Sequence, residues 1–199
     1  MGRTTVSHSS VLELTYAPTH LISPQRLTPT MTSEYHVYLA SYDNAPRKAR
    51  FHWALLISPK DADADSVMTT QMYHATKRGN HWEFEHRRVD SVRSPLMLGR
   101  VHFANIDEGR LNDVERVLQD PVLVRSQDDG WDCGTWVREA ILRLEQGGCF
   151  IAGRVPMTER ALDNLFEFAE RFSEKLVRTP TSVGFNRLPP TKSYTGSRQ

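Results

Sequence analysis

Cysteine and long apolar runs are both scarce in this chain. Only two cysteines, Cys133 and Cys149, occur in 199 residues, which excludes a disulfide scaffold and favours a reducing compartment. Were the segment between them one helix, they would lie about 24 Å apart, too far for a disulfide. No stretch approaches the roughly 20 apolar residues of a membrane span, and the first residues lack the pattern of a secretory signal. We therefore expect a cytoplasmic protein that does not contact a membrane.

An excess of charge of either sign is absent as well. The 25 basic and 24 acidic side chains leave a formal net charge of +1, so electrostatics argues against binding to a bare nucleic-acid duplex or an anionic membrane. Histidines and cysteines do not occur at the spacing of a metal site. We expect neither a metal nor an organic cofactor.

Composition divides the chain into three parts. Residues 1–32 are rich in serine, threonine and proline, which predicts a flexible N-terminal arm. Residues 33–178 carry the periodic apolar patterns of a single domain, and proline, glycine and serine return over 179–199, which predicts a C-terminal tail. Length supports one domain with a core of its own.

The first half of that domain has the pattern of short strands separated by turn residues. The candidate strands are 35–39, 51–57, 71–75, 82–85 and 96–103, and Lys77–Asn80 is the candidate hairpin turn between the third and the fourth. Consecutive short strands of this kind favour an antiparallel meander.

The second half changes to the period of helices. Apolar residues recur at helical spacing over 111–118, 136–144 and 161–176. Gly147-Gly148 predicts the end of the second helix, and Thr158 is a suitable N-cap for the third. The predicted fold is α+β, with an antiparallel meander sheet packed against helices.

Cys133 is the candidate nucleophile because it stands at the predicted start of the second helix. Asp132 can cap that helix, and Gly134 leaves room for a substrate. Backbone N–H groups at a helix start favour a thiolate and can hold an oxyanion, so we expect a lowered thiol pKa. Cys149 follows the two glycines and precedes apolar residues, which is typical of a core filler.

Two histidines in candidate strands can assist that cysteine. Phe51, Trp53, Leu55 and Ile57 alternate on one face of their strand, so His52 points to the other face, where it can serve as general base. His74 in the next strand is placed to fix the tautomer of His52. For binding substrate, the candidates are Trp53 and Trp131, which can wall a pocket, with Asp132 and Gly134 beside the thiol.

This set of motifs resembles the permuted papain-like superfamily, which includes the lecithin:retinol acyltransferase-like enzymes and the PPPDE peptidases. The matching residues are the HWAL strand at His52–Leu55, the strand with His74 and the helix-starting Cys133. A set of fungal domains of unknown function is more similar still, with its HWAL, YHA and C-x-x-W-V motifs at 52–55, 73–75 and 133–137. The resemblance implies a papain-like α+β fold with His52 as base, His74 orienting it and Cys133 as nucleophile. Asp132 replaces the usual asparagine before the cysteine, which argues against a carry-over of lipid acyl transfer.

The predicted function is cysteine-dependent acyl or amide chemistry through a thioester on Cys133, with His52 as base. The substrate would be a small-molecule or peptide acyl compound, and either water or an amine would take the acyl group. Two alternatives remain open. One is an amide-forming aminoacyl transferase in a small-molecule pathway, which would use an aminoacyl donor. The other is an inactive papain-like binding module, in which the charge of Asp132 disfavours the thiolate. The oligomeric state is left open as well.

Overall fold

A computed structural model describes residues 33–43, 51–62, 69–89, 96–124, 130–178 and 190–196. Its strands are β1 (Glu34–Asp43), β2 (Phe51–Pro59), β3 (Thr70–Arg78), β4 (His81–Val89), β5 (Met97–Asp107) and β6 (Thr191–Ser193). Its α-helices are α1 (Leu111–Leu118), α2 (Cys133–Gln146) and α3 (Glu159–Arg178), and Glu108–Arg110 and Pro121–Leu123 form single 3₁₀ turns.

The six strands form one mixed sheet in the order β4-β3-β2-β1-β5-β6. Strands β1 to β4 are the predicted antiparallel meander. The prediction of a purely antiparallel meander is wrong for the rest, because β5 pairs with β1 at the far side of the sheet and β6 runs parallel to β5. The α+β class is confirmed. A strand as short as β6 leaves no alternating pattern by which the sequence could reveal it.

The predicted hairpin turn joins β3 to β4. Arg78 pairs with His81 across it, and Gly79 adopts φ 61°, the left-handed conformation that a tight hairpin turn requires. The turn sets the register of the whole pair and thereby places His74 directly opposite Glu85. This pairing matters for the site described below.

The sheet has two chemically different faces. We call the face that carries Trp53, Leu55 and Ile57 the helix face, because these side chains share one large apolar cluster with residues of all three helices. Helix α2 packs on β2 and β3, and α3 on β5 and β1. The opposite face, which we call the second face, carries a small cluster that includes Leu56 and Met72. Both faces of β2 are therefore buried.

Helix boundaries follow local sequence signals. Asp132 caps α2 through its side chain, and Gly147 lies directly after the last residue of that helix. The hydroxyl of Thr158 accepts a hydrogen bond from the N–H of Ala161 at 3.3 Å, so the predicted N-cap of α3 is also confirmed. These signals depend on residues within one turn of each other, which is why the sequence sufficed to find them.

The predicted flexible arm, residues 1–32, lies outside the described residues. The predicted tail over 179–199 is described only at 190–196, and there it contains β6, which pairs with β5. The N–H of Arg100 also donates to the carbonyl of Pro190 at 3.0 Å. None of the helices in the described ranges combines the length and the apolarity needed to cross a bilayer.

Candidate functional site at the opening between two strands

Cys133 is the first residue of α2. The residue before it, Asp132, has extended backbone, and its carboxylate accepts a hydrogen bond from the N–H of Thr135 at 2.9 Å. This is the N-cap arrangement that the sequence predicts. It holds the cysteine at the end of the helix where the backbone N–H groups lack intrahelical partners.

Backbone N–H groups surround the sulfur of Cys133. The N–H of Trp53 donates to Sγ at 3.5 Å. The N–H groups of Gly134 and of Cys133 itself act on the sulfur in the same sense, and all three lower the thiol pKa. Negative charge at this position would therefore meet three donors.

Burial nevertheless raises the pKa of the Cys133 thiol to about 11, and the charge of Asp132 acts in the same direction. The cysteine is only 2% exposed. The expectation of a lowered pKa is thus wrong for this state of the protein. The pKa is raised because the buried sulfur has lost its surrounding water, and this effect on the pKa is larger than the opposite effect of the helix-terminal N–H groups. At neutral pH the group is a thiol.

The sulfur lies at an opening in the sheet. Among the described residues, the backbone register between β2 and β3 covers only Leu55–Ile57 against Gln71–Tyr73, and it does not continue to the residues of β2 before Leu55. The N–H that reaches the sulfur belongs to the peptide group between His52 and Trp53. Cys133 therefore sits beside this peptide, with the side chains of residues 52 and 53 leaving β2 on opposite faces.

The same opening is bridged by two histidines. Nε2 of His52 lies 2.7 Å from Nδ1 of His74, and the two rings meet edge to face. His52 is partly buried and His74 is 5% exposed. The contact that the sequence predicts between the base and its orienting partner is therefore present in the fold.

His74 is also close to a carboxylate that sequence analysis missed. Its Nε2 lies 3.2 Å from Oε2 of Glu85. Burial, and secondarily the charge of Arg87, lowers the pKa of His74 to about 4, so the ring is neutral at neutral pH. The sequence located the hairpin but not this partner, because the predicted turn at Lys77–Asn80 would place Glu83 opposite His74, whereas the observed pairing of Arg78 with His81 shifts the register and places Glu85 there.

The described contacts join Cys133 to β2 through the Trp53 backbone, and no hydrogen bond among the described residues joins its sulfur to the His52 ring. The alternation of β2 explains this. His52 leaves the strand on the second face, whereas Trp53 leaves it on the helix face, beneath α2 and α3. The thiol and the histidine pair thus belong to opposite faces of the sheet, on either side of β2.

A cleft of about 320 Å³ lies beside the start of α2. Three of the four predicted substrate-binding residues line it, namely Trp53, Asp132 and Gly134. The fit around Gly134 is close, since a Cβ there would lie 3.3 Å from the Trp53 ring and 3.2 Å from the Asp132 carboxylate. Sequence analysis missed the other lining residues, which are Phe51, Thr135, Arg138, Phe166 and Glu170.

Trp131, the fourth predicted substrate-binding residue, does not line this cleft. Its side chain is buried in the apolar cluster of the helix face, and its ring meets that of Trp82 edge to face at 5.7 Å between centroids. Its position directly before the helix gave no information about this packing, because β4 and the residue before α2 are far apart in sequence.

Metal-ligating side chains do not converge in the part of the chain that the structure describes, where no group of three or more histidine, cysteine, aspartate or glutamate residues could hold an ion. Cys149, the second cysteine, is buried behind the end of α2 and is not bonded to Cys133. The ionisable groups of the candidate site are one thiol, two imidazoles and the carboxylates of Asp132 and Glu85.

Comparison with known proteins adds a family but no activity. No curated protein matches the chain, and no solved structure matches it. A family model does match residues 35–175, which contain β2 to β5, α1, α2, most of β1 and α3, and every residue of the candidate site. The chain belongs to that family, which is described as a family of unknown function (DUF6914).

Proposed function

We propose that the protein carries out cysteine-dependent acyl or amide chemistry, with Cys133 as nucleophile, His52 as general base and His74 as the residue that orients His52. One observation carries the proposal. The sulfur of Cys133 accepts a hydrogen bond from the peptide N–H that follows His52, and His52 itself is hydrogen-bonded to His74 at 2.7 Å. The proposed nucleophile, base and orienting group come from three separate elements, α2, β2 and β3, and these two contacts support their assignment to one site.

The resemblance to permuted papain-like enzymes supports the same assignment. Their order of base, orienting residue and helix-starting cysteine is the order of His52, His74 and Cys133. A sheet packed on the helix that begins at the cysteine, which this chain has, is compatible with that fold. The papain-like assignment is part of the proposal.

The raised pKa of Cys133 determines how such a reaction would start. Since burial keeps the thiol protonated at neutral pH, a preformed thiolate–imidazolium pair is not the resting state. Attack would instead be coupled to proton transfer from sulfur to His52, as for a serine nucleophile. The acyl carbon would bond to Sγ, and His52 would then pass the proton to the leaving group.

Backbone N–H groups at the start of α2 would take up the charge that develops on the acyl oxygen. The N–H groups of Cys133 and Gly134 already face the sulfur and lie at the positive end of the helix. The adjoining cleft would hold the acyl substrate between the aromatic rings of Trp53 and Phe166 and the charged groups of Asp132 and Arg138. Either water or an amine could then release the acyl group.

Acylation of the full chain by p-nitrophenyl acetate, followed by intact and peptide mass spectrometry, tests the proposal. Cys149→Ala removes the only other thiol and should leave an acetyl adduct on Cys133. Removal of the base in His52→Ala should slow this acetylation by about a hundredfold or more. His81→Ala, at an exposed histidine beside the β3–β4 turn, is the matched control and should react as the parent does.

A binding module without catalysis is the second candidate, and the 2% exposure of Cys133 favours it. In that case the folded chain would form no acetyl adduct, although the urea-unfolded chain would react at the same cysteine. Equal acetylation rates with and without His52 would also contradict the proposal. If the adduct does form, its release with and without an added amine, followed by mass, separates hydrolysis from amide formation.

A further inference from the structure

Three polar groups follow one another from the opening toward the edge of the sheet. His52 Nε2 lies 2.7 Å from His74 Nδ1, and His74 Nε2 lies 3.2 Å from Glu85 Oε2. The last two residues are direct cross-strand partners, so the backbone register of the β3–β4 hairpin holds them together. The chain of contacts ends at a carboxylate that is about one quarter exposed.

The Nε2 atom of His74 marks the point where a partner is required. This nitrogen is buried, and it makes no hydrogen bond of acceptable geometry with any described group. A buried N–H without an acceptor is costly, because it has lost its hydrogen bonds to water. The Glu85 carboxylate offers an acceptor within reach, since its Oε2 lies 3.2 Å from this nitrogen.

The order of these groups dictates where the protons are. A carboxylate can only accept, so the atom of His74 that faces Glu85 must carry a hydrogen. A neutral His74 then has a bare Nδ1, which accepts from Nε2–H of His52. A neutral His52 with its hydrogen on Nε2 has its lone pair on Nδ1. The reverse arrangement would set a His74 lone pair against the carboxylate, and the two would repel each other.

We propose that Glu85 is a positioning residue that, through His74, fixes the hydrogen of His52 on Nε2 and leaves Nδ1 as the atom that accepts a proton. In its catalytic meaning this inference rests on the proposed function, because the proton that Nδ1 accepts is that of the Cys133 thiol. When the S–H bond breaks and the S–C bond forms, that proton goes to Nδ1 of His52. The resulting imidazolium of His52 keeps the hydrogen bond from its Nε2–H to Nδ1 of His74. No proton needs to move between His52, His74 and Glu85.

Glu85 is itself held by a neighbour. Its second oxygen, Oε1, lies 3.8 Å from the guanidinium of Arg87, two residues along β4. The pair is partly exposed, so its contribution to stability is small. Its geometric effect is to engage Oε1 and leave Oε2 for His74.

Nitrogen-15 NMR of the histidine rings in the full chain tests the inference without reference to activity. The wild type should show the hydrogen on Nε2 of both His52 and His74. Glu85→Ala should shift both rings toward a mixture of tautomers, whereas Glu85→Gln, whose amide oxygen can still accept, should keep the wild-type pattern. Glu83→Ala is the matched control, because Glu83 is two residues away on the same side of β4 and pairs with Arg78 at the surface.

The same variants are then compared in the acetylation assay. Glu85→Ala should slow acetylation of Cys133 by about ten- to a hundredfold, the usual range for loss of a group that orients a ligating or reacting histidine. Glu85→Gln should restore most of the rate, and Glu83→Ala should leave it unchanged. A merely structural role of Glu85 would lower the thermal stability of the variant without moving the tautomers.

The two proposals can fail separately. An inert Cys133 together with the expected tautomers would overturn the proposed function and leave the role of Glu85 in fixing the histidine hydrogens intact. A hydrogen on Nδ1 of His74 in the wild type, or ring signals that are the same in wild type and Glu85→Ala, would overturn the role of Glu85 whether or not the protein acylates.

Discussion

The two faces of the sheet are both buried but in different chemical surroundings. On the helix face, β2 contributes Trp53, Leu55 and Ile57 to a large cluster that is almost wholly apolar. On the second face, it contributes Ala54 and Leu56 to a small cluster, with the histidines of β2 and β3 beside it. Neighbouring residues of one strand therefore experience an apolar core on one side and titratable groups on the other.

Each of the two environments suits the groups of the candidate site that lie in it. A buried thiol fits an apolar core, and a buried imidazole pair needs hydrogen-bond partners. Cys133 belongs to the helix-face cluster, and His52 and His74 belong to the second face. The segment of β2 at His52 and Trp53 lies between these two environments, since the N–H of Trp53 donates to the Cys133 sulfur and the His52 ring is hydrogen-bonded to His74. Stability of the helix face should depend on packing, and that of the second face on pH.

The largest expected effect comes from removing a large buried side chain from the apolar cluster of the helix face. Trp136 of α2 is fully buried, and its ring packs against Phe84 at 5.7 Å between centroids. Trp136→Ala should lower the free energy of unfolding by about 3–5 kcal/mol through lost burial and a residual cavity. Urea unfolding at pH 7 and at pH 5.5 measures it, and the loss should be the same at both values.

The control for that prediction is Val177→Ala, at an exposed position near the end of α3. It should change the free energy of unfolding by no more than about 0.5 kcal/mol. If Trp136→Ala lowered the free energy of unfolding by less than about 1 kcal/mol, or by amounts that differ strongly between the two pH values, the helix face would not depend on packing as described.

The second face should instead respond to acid. Burial lowers the pKa of His74 from 6.5 to about 4, so the unfolded chain binds a proton there before the folded chain does. The stability from this group is complete above pH 6.5 and is lost as the pH falls toward 4, by about 3 kcal/mol in total. Urea unfolding over that range measures the slope, and burial of His36, whose pKa is also lowered, adds to it.

His74→Asn should flatten the acid dependence, since it removes the group that takes up the proton. His81→Asn, at the exposed end of β4, is the matched control and should keep the slope of the parent. If the slope were identical in His74→Asn and the parent, the second face would not be the origin of the acid sensitivity.

The smallest effect concerns the boundary between α2 and the opening. The charge of Asp132 is one of the causes that raise the pKa of Cys133, and asparagine caps a helix about as well as aspartate. Asp132→Asn should therefore change the free energy of unfolding by less than about 0.5 kcal/mol but increase iodoacetamide alkylation of Cys133 at pH 8 about threefold or more. Cys149→Ala is the background, so that one thiol reports the rate.

Asp132→Ala separates the two roles, since it removes both the charge and the cap and should cost about 1 kcal/mol of stability. An alkylation rate that does not change in Asp132→Asn would show that burial alone sets the reactivity of the thiol.

Much of the fold could be predicted from local sequence patterns. The caps at Asp132 and Thr158 and the hairpin turn at Gly79 were predictable because each depends on residues within one turn of the chain. The placement of β5 beside β1, and the existence of β6, were not predictable, because pairing between distant strands depends on which partners are left unpaired after the meander has formed. The same limit hid the packing of Trp131 on Trp82.

The candidate site divides in the same way. The sequence indicated that a carboxylate of β4 lies opposite His74, but the predicted turn at Lys77–Asn80 points to Glu83, and only the observed register, with Arg78 opposite His81, selects Glu85. The direction of the pKa shift at Cys133 did not follow from sequence, because the helix start lowers it and burial raises it. Only the amount of water excluded by surrounding elements decides which effect is larger.

The order of residues was enough to predict the first five strands, the three helices, the α+β class, and the placement of a cysteine at a helix start and two histidines in strands. Those properties come from backbone preferences and apolar periodicity, which act over a few residues. Three features depend on the tertiary structure: the hydrogen bond from the Trp53 N–H to the Cys133 sulfur, the hydrogen bond between His52 and His74, and the burial that raises the pKa of the thiol. Distances between remote residues and the exclusion of water exist only after the sheet and helices have packed together.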